Sequence, residues 1–275
     1  MSTRAAVATG SRRAALTVLL VATVLPVLPL LATMFSTRWR YPALVPDDLS
    51  ARGLRLLADP RLGVLPSLGT SLVVATATAA LACVVGLPAG RAIGRYRFRG
   101  RSLVQFLLLA PVVVPGIAVT LGVQVFFIRY GLADHLPGVV LAHLMPAVPY
   151  AATILGGAYV RFDERFEQQA RVLGAGSVAT FWHVTLPMMR PALALAALLA
   201  FLISWNEYIL TLVIGGGRVQ TLPVLLVSAV TATDTTLAAT VAVTLALPPL
   251  VLVTVVARQL SAGTGPGGGL GPGLL

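Results

Sequence analysis

The stretch RFDERFEQQARVLGAGSVATFWHVTLPMMRPAL, from Arg161 to Leu193, sits between two long apolar runs, and its reading decides the fold. It has the pattern of two short helices joined by a turn. Asp163 is placed to cap the first, along which Phe162, Phe166, Ala170 and Leu173 recur at helical spacing with charged residues opposite. Gly174 stands where such a helix stops, and Gly176 follows; glycine accepts the left-handed conformation that a stop requires. Ser177 is placed to cap a second short helix carrying Val178, Phe181 and Trp182, which Pro187 then closes. Periodicity alone also fits an amphipathic connector lying on a membrane surface.

The flanks of this loop are what make a membrane unavoidable. Of the 275 residues 57% are hydrophobic and only 11% charged, with a mean hydropathy of +0.90. A soluble domain carries roughly 25% charged residues. About 20 apolar residues cross a bilayer core of about 30 Å. Six stretches qualify, near Ala14–Phe35, Pro66–Gly90, Leu103–Ile128, Pro137–Val160, Met188–Ile214 and Leu237–Ala257. The expected fold is all-α and polytopic, with about six transmembrane helices over residues 14–257. The first run follows Arg4, Arg12 and Arg13, but it is longer than a signal-peptide core and lacks a small-x-small cleavage site, so it reads as a retained helix.

Orientation follows from the placement of arginine. All twenty basic residues are Arg, and with the N-terminus inside, thirteen fall on the cytoplasmic side and seven outside. The segment RAIGRYRFRGR, Arg91 to Arg101, holds five of them. Both termini are expected in the cytoplasm, residues 1–13 as a short tail, and 258–275, Gly- and Pro-rich from Ser261, as a disordered one. The formal charge of +11 is thus topological, and no nucleic-acid partner is expected.

With no Lys in the chain, a GxxxxGK[ST] phosphate loop cannot exist, so any ATP hydrolysis must occur on another subunit. Cys83 is the only cysteine, which excludes an intrachain disulfide and reads as a packing residue. His135, His143 and His183 have no metal-ligand spacing and read as interfacial or packing residues. Catalysis in lipid would need clustered polar groups, and the spans do not supply them. No metal, cofactor or catalytic residue is expected.

The 161–187 loop resembles the EAA signature of ABC-importer permeases, in which Glu-Ala-Ala is followed at fixed spacing by Gly and then by Leu-Pro. The register here is Gln168, Gln169 and Ala170, then Gly174, then Leu186 and Pro187. The resemblance implies the type I permease fold in a bacterial inner membrane. It also implies that the helix–Gly–helix unit is a coupling element docking on a cytoplasmic ABC ATPase dimer, which holds ATP and Mg. A second permease subunit, a different chain or a second copy, and an extracytoplasmic solute-binding protein complete the implied partners. Gln168 and Gln169 depart from the signature, which leaves the charged ATPase contact open between Glu167, Arg171 and none.

Glu207 is the one ionisable residue well inside an expected span, and such a residue either lines a water-filled path or pairs structurally. Ser204, Trp205 and Asn206 precede it. APVVVPGIAVTLG (Ala110–Gly122) and SWNEYILTLVIGG (Ser204–Gly216) resemble segments of the spermidine/putrescine-type permeases, motifs shared with iron, thiamine and sulfate relatives. An acidic path would suit a polyamine. Pro111, Pro115 and Gly116 interrupt the third span, and Pro248 and Pro249 the sixth, either as packing geometry or as hinges. Leu222–Val230 is too short to span and reads as an outer-face or re-entrant segment. A stand-alone secondary transporter is the rival reading, and the EAA-like loop separates the two.

Overall fold

A computed structural model of the chain describes Leu25, residues 27–36, Trp39, and residues 48–114 and 116–262. The helices are α1 (Val27–Met34), α2 (Arg52–Ala58), α3 (Val64–Arg95), α4 (Arg101–Val113), α5 (Gly116–Arg129) and α6 (Leu136–Arg161). There follow α7 (Arg165–Val172), α8 (Ser177–Thr180), a π turn (Phe181–Thr185), α9 (Leu186–Trp205), α10 (Ile209–Gly215), α11 (Leu222–Thr231) and α12 (Thr235–Ala262). Among the described residues there is no strand beyond an isolated bridge between Ser36 and Leu49. The all-α, polytopic expectation holds.

Among the described residues, four helical stretches are long and apolar enough to cross a membrane: Val64–Arg95, Leu136–Arg161, Ser177–Trp205 and Thr235–Arg258. They coincide with the second, fourth, fifth and sixth expected spans. The first expected span, Ala14–Phe35, lies mostly outside the described residues, of which only α1 belongs to it. The third is corrected. It is not one helix but two, α4 and α5, because Val114 is extended at φ −74°, ψ 139°, as a residue preceding proline is driven to be. The fifth is also corrected: its helix ends at Trp205, three residues intervene, and α10 begins at Ile209. Pro88, Pro146, Pro149 and Pro191 sit inside continuous helices, and so do Pro248 and Pro249, which do not interrupt the sixth span as expected. The helix of the sixth span runs to Ala262, past the expected end at Ala257, and residues 258–262 contain neither Gly nor Pro; residues 263–275 lie outside the described set.

The described residues form two compact units. One comprises those up to Pro66 with Leu225–Ala246. In it, Gly53 of α2 lies directly against Met34 and Thr240, and Arg52 pairs with Asp234 at 3.5 Å. The other comprises Ser67–Val224 with the residues from Leu247. Its centre is α6, packed chiefly on α9 and also on α10 and α4. Val74, Phe127, Val139, Val140, Leu210 and Ile214 form part of one apolar core there.

In this unit α3 meets α6 through a row of small residues. Gly86, Gly90 and Gly94 are spaced by four, which puts them on one helix face. A methyl group on Gly86 would stand 2.9 Å from the Ala151 side chain, and one on Gly90 2.8 Å from the Gly156 amide nitrogen. Helices in lipid gain no hydrophobic drive toward one another, so close backbone approach through small residues supplies the packing instead. This contact carries Arg91 and Arg95, at the end of α3, to the loop after α6.

Candidate functional site

The EAA-like loop folds as two helices about a glycine stop. Asp163 Oδ1 accepts the Arg165 amide N–H at 2.9 Å, capping α7 as expected. At its other end the Ala175 amide donates to the Ala170 carbonyl and the Gly174 amide to the Arg171 carbonyl, both at 3.0 Å. These two bonds define a Schellman stop, with Gly174 in the left-handed region at φ +88°.

Two expectations for the second helix are corrected. Ser177 makes no capping bond; α8 starts after Gly176, whose carbonyl accepts from Thr180 Oγ1 at 3.0 Å. Pro187 does not close the helix either. The Leu186 amide reaches back five residues to the Phe181 carbonyl, and this wider π turn lies immediately before the residue that has no amide hydrogen. The helical path from Ser177 therefore runs into the fifth span without a break.

The burial of the loop inverts its polarity pattern. Of the expected apolar stripe, Phe166 and Leu173 are exposed, and Val172 and Leu173 are each 87% exposed. Val178 and Trp182 follow at 73% and 59%. The buried residue of α7 is Glu167, at 3%. Its Oε2 accepts from Arg95 Nη1 at 2.8 Å and from Arg91 Nη2 at 3.1 Å, and its Oε1 accepts from Thr185 Oγ1 at 2.6 Å. Arg95 Nε also donates to Glu164 Oε1. One carboxylate thus joins the end of α3, the first loop helix and the π turn.

The electrostatics follow from these partners. Burial pushes the Glu167 carboxyl up, but the Thr185 hydroxyl and the charges of Arg95 and Arg91 outweigh it and hold the group below its ordinary 4.5. The hydrogen bond from Arg95 pulls Glu164 in the same direction. Removing one partner of a buried, paired charge costs about 3–5 kcal/mol, far more than an exposed pair contributes. Glu167 is turned into the chain, while Gln168, Gln169 and Arg171 are exposed, Ala170 is half-buried, and Leu186 and Pro187 are half-buried at the start of α9.

The arginine bias reads Arg91 and Arg95 as topology alone and does not connect them to Glu167. The available signal was their i, i+4 spacing, which aims both guanidinium groups to one side of the helix end. Thr185 carried no signal, because only the π turn brings it to Glu167.

The second candidate site is divided by the break after α9. Ser204 and Trp205 are core residues: Ser204 Oγ lies 2.8 Å from His143 Nδ1, and Trp205 stacks on Phe201 with ring centroids 5.3 Å apart. His143 Nε2 lies 3.0 Å from Thr211 Oγ1, so this fully buried histidine bridges α9 and α10. Asn206 is exposed and donates to the Leu202 carbonyl at 2.8 Å. Glu207 is not inside a helix, as the continuous span had implied. It is half-buried in the break, and its Oε1 accepts the Leu210 amide at 3.1 Å, capping α10. It also lines a cavity of about 190 Å³ together with Gly116, Thr120, Met145, Pro146 and Leu210.

These features define a multi-pass helical membrane protein with a rigidly mounted helix pair outside its spans. Residues 86–262 match the model of the binding-protein-dependent transport system inner membrane component. The chain belongs to that family, as the EAA-like spacing implied, and it is the membrane permease component of an ABC importer, not an enzyme.

Among its relatives, the molybdate/tungstate transport system permease protein WtpB of Pyrococcus abyssi (strain GE5 / Orsay) is 34% identical over 54% of this chain. That match spans 58% of the relative's length. The putrescine transport system permease protein PotI of Escherichia coli (strain K12) is 30% identical over 71% of this chain and 67% of its own. Among solved structures, a bacterial ABC transporter involved in import of the acidic polysaccharide alginate aligns with a TM-score of 0.67. It does so over 94% of this chain and 98% of that one, at 18% identity, which speaks to the fold alone.

Proposed function

We propose that this chain forms one half of the permease of an ATP-driven solute importer, receiving work through the 161–187 loop. The observation that carries the reading is the inverted polarity of that loop: Val172, Leu173, Val178 and Trp182 are exposed while Glu167 is buried against Arg91, Arg95 and Thr185. An exposed apolar patch at a tight turn calls for a protein partner, and the buried carboxylate makes the patch a stiff part of the spanning helices.

In this reading the partner is a cytoplasmic ATPase dimer holding ATP and Mg. Its closure presses on the exposed face, with Gln168, Gln169 and Arg171 at the polar rim. Because α8 is continuous with α9, a push on the loop moves the fifth span directly. Through Glu167 it also moves the end of α3. The loop side and both termini are cytoplasmic, by the arginine bias. A second permease subunit completes the path, and a binding protein delivers solute to the opposite face.

For the solute, the favoured class is a polyamine or similar small organic cation. Support comes from Glu207 at the small cavity and from the similarity to the putrescine permease PotI. The second reading, an oxyanion, is favoured by the 34% identity to the molybdate/tungstate permease.

The test is co-purification in mild detergent of wild type beside Leu173→Asp, scored for a stoichiometric Walker-A ATPase, with uptake of putrescine and of molybdate in reconstituted vesicles. Loss of the ATPase in the variant supports the coupling site. A wild type that purifies without ATPase, under conditions preserving other such complexes, would overturn the importer reading. Molybdate uptake without putrescine uptake would overturn the cation.

A further inference from the structure

At the same end of the helices as the Glu167 clamp, a separate cavity of about 390 Å³ opens between α3, α4 and α6. Its volume falls within the range of small-ligand sites. The wall includes Gly94, Arg101, Gln105, Leu109, Gly157 and Val160, and among the described residues no Asp or Glu lines it. Arg101 is the one charged group there. Its Nε is buried and has no hydrogen-bond partner among the described residues. Of the acids of the adjoining loop, Glu164 and Glu167 are taken by Arg95 and Arg91, and Asp163 accepts the Arg165 amide.

A buried guanidinium N–H left without an acceptor is costly, so the cavity is short of a negative group. The rim supplies a second constraint. Leu109 and Val160 are 45% and 65% exposed, which places apolar surface, of the kind that spanning helices turn to hydrocarbon, at the mouth of a cationic cavity.

We propose that this cavity binds the headgroup of an anionic phospholipid. Arg101 and Gln105 take the phosphate, for which the planar guanidinium fork is well suited, and the acyl chains run along Leu109 and Val160. Basic pockets between spanning helices are the setting in which such headgroups bind. A free oxyanion shares the phosphate chemistry but makes no use of the rim, and a polyamine is repelled by Arg101. Placement in the inner leaflet rests on the orientation proposed above; the headgroup site itself does not.

The experiment is native mass spectrometry of the full-length chain, released from nanodiscs containing phosphatidylglycerol and phosphatidylcholine. Wild type is expected to retain phosphatidylglycerol selectively. Arg101→Gln, and Gly157→Leu, which fills the cavity where a Cβ meets nothing within 4 Å, should each lower retention about tenfold. Arg97→Gln should retain lipid as wild type does. Equal retention of the two lipids, unchanged retention in both cavity variants, or an equal loss in Arg97→Gln would overturn the site. Displacement of the lipid by inorganic phosphate or molybdate in solution would overturn the lipid in favour of a soluble anion. The readout is made on this chain and does not depend on an ATPase, so it stands apart from the importer reading.

Discussion

Arg95 Nη1 donates to Glu167 Oε2 at 2.8 Å across 72 residues of sequence, and this bond fastens the loop helix α7 to the end of the spanning helix α3. Glu167→Ala should therefore lower stability by about 3 kcal/mol, leaving Arg95 and Arg91 without their shared acceptor. Glu167→Gln keeps the volume and removes the charge. It should weaken the coupling of ATP hydrolysis to uptake more than it lowers the thermal midpoint. Proteoliposome transport measured beside ATPase rate separates the two effects.

The same carboxylate sets a pH dependence. Its titration lies below the ordinary 4.5 in the folded chain, so its contribution is present above that value. The contribution is lost as pH falls through the lowered one. A thermal-midpoint profile should drop below pH 4.5 in wild type and drop less in Glu167→Gln. Parallel profiles would show that Glu167 does not carry the dependence.

Gly174 sits at φ +88° with open space around a would-be Cβ. The cost of Gly174→Ala is then conformational, about 1–2 kcal/mol, and Gly174→Asn should cost less because Asn tolerates this region. Gly174→Arg adds bulk at the turn between the exposed Leu173 and Val178. It should release the ATPase on co-purification even where the chain remains folded.

Glu207 caps α10 and also lines the 190 Å³ cavity. Glu207→Gln preserves an oxygen able to accept from Leu210, so the thermal midpoint should change little. If the solute is a cation, uptake should fall severalfold in this variant. Unchanged uptake would reduce Glu207 to its capping role.

Gly90 meets the backbone of Gly156 too closely to admit a side chain. Gly90→Leu should abolish accumulation of folded chain, and Gly90→Ala should lower the thermal midpoint. Gly69→Ala, where a Cβ meets nothing within 4 Å, should be neutral. His143→Leu should cost about 1–3 kcal/mol, chiefly by stranding the buried Ser204 hydroxyl, since Thr211 still donates to the Glu207 carbonyl. Ser204→Ala in the same chain should recover part of it. Thermal unfolding in detergent checks both series.

What the sequence determined by itself was what depends on local pattern: apolar length, arginine placement, and the Gly174 stop with its flanking helices. These are nearest-neighbour and solvent effects, and they are legible residue by residue. It misplaced the helix ends around Val114 and Trp205 and treated Pro187 as a terminator: the first is a local pre-proline effect hidden under an unbroken apolar run, and the other two depend on hydrogen bonding that composition does not encode. Tertiary structure alone decided that Glu167 faces inward, that Arg91, Arg95 and Thr185 meet it, and that Ser204 and Trp205 are core while Glu207 lines a cavity. The physical reason is that a buried charge is tolerated only where partners converge on it from distant segments, and that convergence exists only once α3 and α6 have packed through Gly86, Gly90 and Gly94.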